Sequence, residues 1–283
     1  MTIGMAQTMT GRATAEGDEI YYEIRGQGQP LLMIPGGVGD AGVYSFVADI
    51  LADEFKVIAY DRRGQSRSTR RDPQNFEIGQ QARDAVAVLK AAGENAAIVF
   101  GSSSGAVIGF EMARSHPQAM KALIAHEPPV VRILPDADKW LSIFAELYLT
   151  TLREGAQKGM RDFLAFLAIP PAAPDPELLG SPVFQEINQR QTASSSSEFG
   201  LRNELLPSSH YEPDFSAIRK NGVKVLVGVG RITLDTGSFF GRTVPILAER
   251  LGCETIVFPG HHGSYTVNPR SWAATLRDVL HRV

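Results

Sequence analysis

A chain of 283 residues can bury a full core, and it suits one large α/β domain, or one domain carrying an insertion, better than two independent folds. Its composition is ordinary for a globular protein and its formal net charge is −3, which argues against nucleic acid or an acidic membrane surface as the main partner. The single cysteine, Cys253, rules out an intrachain disulfide and fits a reducing, cytoplasmic location.

Met1 to Gly17 holds no apolar signal region, and no unbroken apolar run is long enough to span a bilayer, so neither secretion nor membrane insertion is expected. Glu19 to Arg25 alternates and is rich in aromatics, the pattern of an early, half-exposed antiparallel strand. After a turn at Gly26 to Pro30, the run Leu31-Leu32-Met33-Ile34 is continuously apolar, as in a strand covered by helices on both faces. It ends in Pro35-Gly36-Gly37-Val38-Gly39. Tyr44 to Ala52 reads as a helix, Lys56 to Tyr60 as a buried strand, and Asp61-Arg62-Arg63-Gly64-Gln65-Ser66 as a turn. Gln80 to Ala92 is an amphipathic helix stopped by Gly93.

Ala96 to Phe100 is the next strand and Ala106 to Ala113 the helix after it. Lys121 to His126, Val223 to Gly228 and Glu254 to Phe258 read as strands, and Val244 to Leu251 and Ser271 to His281 as helices. Strands alternating with helices through both ends predict an α/β protein with a doubly wound, mostly parallel sheet, formed by residues 1–129 and 214–283. Residues 130–213 break that rhythm. Ala137 to Arg153, Gly159 to Leu167 and Pro182 to Arg190 read as helices, interrupted by Pro170 to Pro174 and by Thr192 to Ser197, the latter expected as a mobile loop. The block is expected to be a helical cap inserted after the sixth strand and lying over the site; the alternative is a packing domain without catalytic relevance.

Between the strand ending at Phe100 and the following helix stands Gly101-Ser102-Ser103-Ser104-Gly105. A Gly-x-Ser-x-Gly step from strand to helix is a nucleophile elbow: the central serine sits on a strained turn, and small residues two positions away let strand and helix approach. Ser103 Oγ then projects above the sheet with the helix N-terminus behind it. The five-residue pattern alone is weak, and a phosphate-binding or purely structural turn is its rival. The strand before it and the helix after it make it strong.

A serine hydroxyl needs a base within hydrogen-bond reach. The Pro259-Gly260-His261-His262-Gly263 loop follows the last strand, and spacing alone does not choose between His261 and His262. His116, His210 and His281 fall at a helix end, in a linker and in the terminal tail. The acid that orients the imidazole is either Asp235, late after the strand ending at Gly228-Val229-Gly230, or Glu127, at the tip of the strand beside the elbow and held by Pro128-Pro129. Glu127 is favoured, because a right-handed crossover sets its strand next to that of Ser103. Two oxyanion donors are expected: the Ser104 N–H, and the N–H of Gly37 with Gly36 in reserve. No metal-ligand spacing and no dinucleotide-binding glycine pattern is present, so neither metal nor other cofactor is expected.

Taken together, Pro35-Gly36-Gly37, the Asp-x-x-Gly-x-Ser turn at Asp61 to Ser66, Gly-Ser-Ser-Ser-Gly and the late histidine loop resemble the α/β-hydrolase superfamily over nearly the whole sheet domain. The triple-serine elbow, His126-Glu127-Pro128-Pro129, and Gly260-His261-His262 followed by Tyr265 and Pro269 are similar to its branch of fungal zearalenone-type lactone hydrolases. The resemblance implies Glu127 as the acid and His262 as the base. Pro35 stands where many relatives have histidine, and the cap diverges, so the lactone substrate is not implied.

The expected activity is a cofactor-free serine hydrolase acting on a small apolar ester or lactone through Ser103, His262 and Glu127. Carbon–carbon bond hydrolysis or perhydrolysis by the same triad, and a slow-turnover ligand receptor, are the alternatives. Trp140, Phe144, Tyr148, Phe163 and Phe166 are candidates both for the pocket wall and for the cap's own core. No nucleic acid or membrane partner is expected, and a homodimer is left open.

Overall fold

The structure is a computed structural model that describes residues 5–37, 39–72, 76–167, 173–191 and 194–283. Eight strands, β1 (Thr8–Ala15), β2 (Asp18–Arg25), β3 (Gln29–Ile34), β4 (Phe55–Tyr60), β5 (Ala97–Ser102), β6 (Met120–His126), β7 (Lys224–Gly230) and β8 (Glu254–Phe258), form one sheet in the order β1-β2-β4-β3-β5-β6-β7-β8. The pairs β1/β2 and β2/β4 are antiparallel and the rest are parallel.

Strand residues alternate between two cores, as a period of two requires. Leu32, Ile34, Val99, Leu123 and Ala125 pack on one face with α2 (Ile78–Ala91) and α3 (Ser104–Ser115). Leu31, Met33, Ile98, Phe100 and Ile124 face the other way, toward α1 (Ser45–Leu51) and the terminal helix Pro269–Leu280. Both faces are therefore dry, which is why β3 and β5 read as unbroken apolar runs.

Between β6 and β7 the chain is helical: α4 (Ala137–Glu154), α5 (Ala156–Leu167), α6 (Pro182–Gln191), α7 (Ser194–Phe199), a π-helical turn at Gly200–Glu204, and α8 (Leu205–Ser209). No strand occurs there among the described residues. Phe144, Leu147, Leu167, Leu201 and Leu205 pack together and onto Phe239 and Phe240 of the helix Phe239–Leu251.

Two local expectations differ from the structure, and one strand had no expectation attached to it. Ser194 to Ser197, expected in a mobile loop, lie in α7; Thr192 and Ala193 fall outside the described residues, as do Pro170 to Ala172 of the proline-rich stretch. Strand β1 carries almost no apolar signal, because only Ala13 and Ala15 of it are buried and its pairing with β2 supplies the order. The helix expected from Val244 starts at Phe239, with Pro245 inside it.

Candidate active site

Register brings the site together at the carboxyl edge of the parallel strands. Ser102 pairs with His126, His126 with Gly228, and Gly230 with Phe258. The residues that follow, Ser103, Glu127 and the histidine loop, therefore emerge side by side.

Ser103 holds φ 56° and ψ −127°, in the left-handed half of the map where non-glycine residues are uncommon. The turn is possible because strand and helix nearly touch: a Cβ on Gly101 would stand 2.3 Å from the Gly105 carbonyl oxygen, and one on Gly105 would stand 2.2 Å from that of Ile34. The Ser103 N–H donates to the His126 carbonyl at 2.9 Å, fastening the elbow to β6. Ser104 is the first residue of α3, so its N–H has no acceptor within the helix.

Glu127 also has positive φ, 46°, and is completely buried. Its Oε1 accepts from the Gly230 N–H at 2.7 Å and its Oε2 meets His262 Nδ1 at 2.6 Å. Burial alone would raise this carboxyl, but the His262 hydrogen bond, with help from Gly230 N–H, holds it well below the usual range. Two strained backbone positions thus flank one site. Asp235, the rival acid, is exposed at the end of the short helix Arg231–Asp235.

The adjacent histidines separate by what they touch. His262 stacks on Phe240 at 4.2 Å between ring centroids and 19° between planes, so its ring is held from the side as well as at Nδ1. His261 Nδ1 accepts from the Gly263 N–H at 3.1 Å, and its own N–H donates to Ser264 Oγ at 2.8 Å. It builds the turn that presents its neighbour.

The β3–α1 loop approaches from the other side. A Cβ on Gly36 would sit 3.0 Å from Ser103 Cβ and 3.7 Å from its Oγ; one on Gly37 would sit 3.8 Å from Ser104 Oγ. Both carbonyls are held: Gly36 O accepts from Arg62 Nη2 at 2.9 Å and Gly37 O from Gln65 Nε2 at 2.9 Å. Arg62 is itself completely buried and paired with Glu204 across the cavity wall. Sequence reasoning missed these three side chains. Arg62 and Gln65 lie in the turn it singled out, but Glu204 is 142 residues from its partner and carries no local signal. Val38, next in the loop, is outside the described residues.

Ser103 and His262 open on a cavity of about 380 Å³ walled by Phe144, Phe163, Leu201 and Phe240. Of the five candidate aromatics, Phe144 and Phe163 reach it, while Trp140, Tyr148 and Phe166 pack in the apolar cluster behind. Among the described residues no group of acids, histidines or cysteines could hold a metal ion, and no helix is long and apolar enough to cross a membrane.

Beneath the site lies a buried polar relay. Ser102 Oγ and His126 Nδ1 are 3.0 Å apart, and the Tyr265 hydroxyl bonds to Ser102 as well. Burial pushes His126 down to about 4, so it stays neutral in the folded protein. Above its ordinary value near 6.5, neither state is protonated there. Below that, only the unfolded chain takes up the proton, so stability falls as pH falls toward 4, by about 2 kcal/mol at pH 5. Urea unfolding at pH 7 and pH 5 is expected to show this loss in the wild type and to lack most of it in His126→Phe. An unchanged difference in the variant would assign the pH dependence elsewhere.

Residues 29–192, more than half the chain, match the family described as the alpha/beta hydrolase fold. The chain belongs to that family and is a hydrolase. It is 28% identical over 277 residues to an uncharacterized hydrolase, YraK, of Bacillus subtilis, covering 96% of each chain. It is 25% identical over 279 residues to the zearalenone hydrolase of Bionectria ochroleuca, covering 94% of this chain and 96% of the other. An esterase structure from Thermogutta terrifontis superposes with a TM-score of 0.72 at 21% identity, over 98% and 99% of the two chains.

Proposed function

We propose that this protein is a cofactor-independent serine hydrolase that cleaves a small apolar ester or lactone, using Ser103, His262 and Glu127. The observation that carries the reading is the 2.6 Å bond between His262 Nδ1 and the buried Glu127, made across 135 residues at the rim of the cavity that holds Ser103. A carboxylate on Nδ1 keeps the proton there and leaves the Nε2 lone pair as base.

In this mechanism His262 Nε2 takes the Ser103 hydroxyl proton as Oγ attacks the carbonyl carbon. The negative charge on the carbonyl oxygen rests against the Ser104 and Gly37 N–H groups, each donor worth roughly 3 kcal/mol of barrier. The imidazolium, steadied by Glu127, gives its proton to the departing alcohol oxygen, leaving an acyl-Ser103. Water then enters, loses a proton to His262 and releases the acid. Residues 130–213 act as a cap whose Phe144, Phe163 and Leu201 exclude water from this sequence. The activities named for the relatives, a zearalenone hydrolase and an esterase, support hydrolysis at such a centre.

Intact mass after incubation with a fluorophosphonate tests the reading. One adduct is expected on the wild type and none on Ser103→Ala. A wild type that does not label has an unactivated serine, and the receptor alternative replaces the hydrolase.

A further inference from the structure

The cavity is not apolar all round. Ser104, Glu204 and Ser208 line it too, the first two beside the loop after β3, and each is at most 4% exposed. Glu204 ends the π-helical turn and Ser208 follows four residues later in α8, so both project from one side of the same segment. Single π-turns inside helices are frequent at functional sites because they re-aim a side chain. Ser104 Oγ and Ser208 Oγ have no hydrogen-bond partner among the described residues. Glu204 Oε2 accepts from Arg62 Nη2 at 2.9 Å and Oε1 lies 2.8 Å from Arg62 Nη1, a two-point ion pair that leaves each oxygen a further lone pair. A Cβ on Gly37 would stand 3.7 Å from Glu204 Oε1 and 3.8 Å from Ser104 Oγ, so these oxygens gather over the loop beside the nucleophile.

We infer that Glu204, Ser208 and Ser104 Oγ form a subsite for a hydroxyl group on the acyl chain, at the second or third carbon; this rests on the hydrolase reading above. Two arguments fix the chemistry. Buried polar atoms without partners are rare, and their lining of the cavity gives them to whatever enters it. Arg62 already balances the Glu204 charge, so the subsite calls for an uncharged donor rather than a cation. Topology fixes the side. Strand β5 carries Ser103; β3 and β4 lie on one flank, and β6 to β8, with Glu127 and His262, on the other. The leaving oxygen must face His262 to be protonated and the carbonyl oxygen faces the Ser104 and Gly37 N–H groups, so the acyl chain takes the remaining direction, past that loop to the wall that Glu204 and Ser208 line.

The test compares kcat/KM for p-nitrophenyl butanoate with that for each enantiomer of p-nitrophenyl 3-hydroxybutanoate. One hydroxyl enantiomer is expected to be preferred by about 10- to 100-fold, the range for a hydrogen bond to a charged acceptor. The preference is expected to fall to within about threefold of unity in Glu204→Gln and to drop at least about threefold in Ser208→Ala, which leaves the ion pair intact. The ratio compares two substrates on one sample, so partial misfolding does not move it. Butanoate turnover without hydroxyl preference, or a preference untouched by both variants, overturns the subsite and leaves the hydrolase reading standing. No turnover of any ester overturns both.

Discussion

Glu127→Gln is expected to lower kcat on p-nitrophenyl butanoate by about 10⁴-fold while the protein stays folded. The amide is nearly the same size and can still accept from the Gly230 N–H, so the Gly230 contact at 2.7 Å survives. What changes is the partner of His262 Nδ1. A glutamine offering its NH₂ there drives the imidazole proton to Nε2 and removes the base from Ser103. If it offers its oxygen instead, the tautomer is kept, but its NH₂ then meets the Gly230 N–H and the imidazolium loses its counter-charge in a fully dry position. Asp235→Ala is expected to stay within about twofold of wild type, because that side chain is exposed and a surface change of this kind is nearly neutral. The comparison decides the acid. A Glu127→Gln enzyme near wild-type rate, or a crippled Asp235→Ala, would falsify the assignment, and circular dichroism on each variant separates lost chemistry from lost fold.

The order of strands and helices was legible because both sheet faces are buried, and burial on both faces leaves continuous runs such as Leu31 to Ile34. Glu127 was legible for a related reason: position at a strand tip is fixed by topology, and the Ser102–His126 register sets Glu127 beside Ser103. The choice between the two candidate bases was not legible from spacing. His261 and His262 share one loop, and only the contacts of each ring, Gly263 N–H for one and Glu127 with Phe240 for the other, tell them apart. Strand β1 was invisible since an edge strand with two buried alanines has no pattern to display. The serine run misled through composition: Ser194 to Ser197 have poor helix propensity, yet α7 forms and leads into buried Phe199 and Leu201. Glu204 was hidden most completely, because a buried ion pair between distant segments leaves no trace in either one.

That pair supplies the second large effect. Arg62→Met is expected to cost about 3–5 kcal/mol, since it strands the Glu204 carboxylate where only 2% of the residue is exposed. The double variant Arg62→Met/Glu204→Met is expected to regain most of that loss, as apolar replacement of a whole buried pair is often neutral or better. Activity is expected to part company with stability. Arg62 Nη2 also donates to the Gly36 carbonyl, and Gly36 lies against Ser103, so neither variant retains the bond that fixes this loop. A loop free to drift by about 1 Å loses on the order of 100-fold in rate. The double variant should therefore melt near wild type in urea while kcat on p-nitrophenyl butanoate stays about 100-fold down. Recovery of both would make the pair a packing feature alone. Recovery of stability without rate would make Arg62 a residue that couples the Gly200–Glu204 turn to the Gly36 loop: its charge is held by Glu204, and its Nη2 also reaches the Gly36 carbonyl, against Ser103.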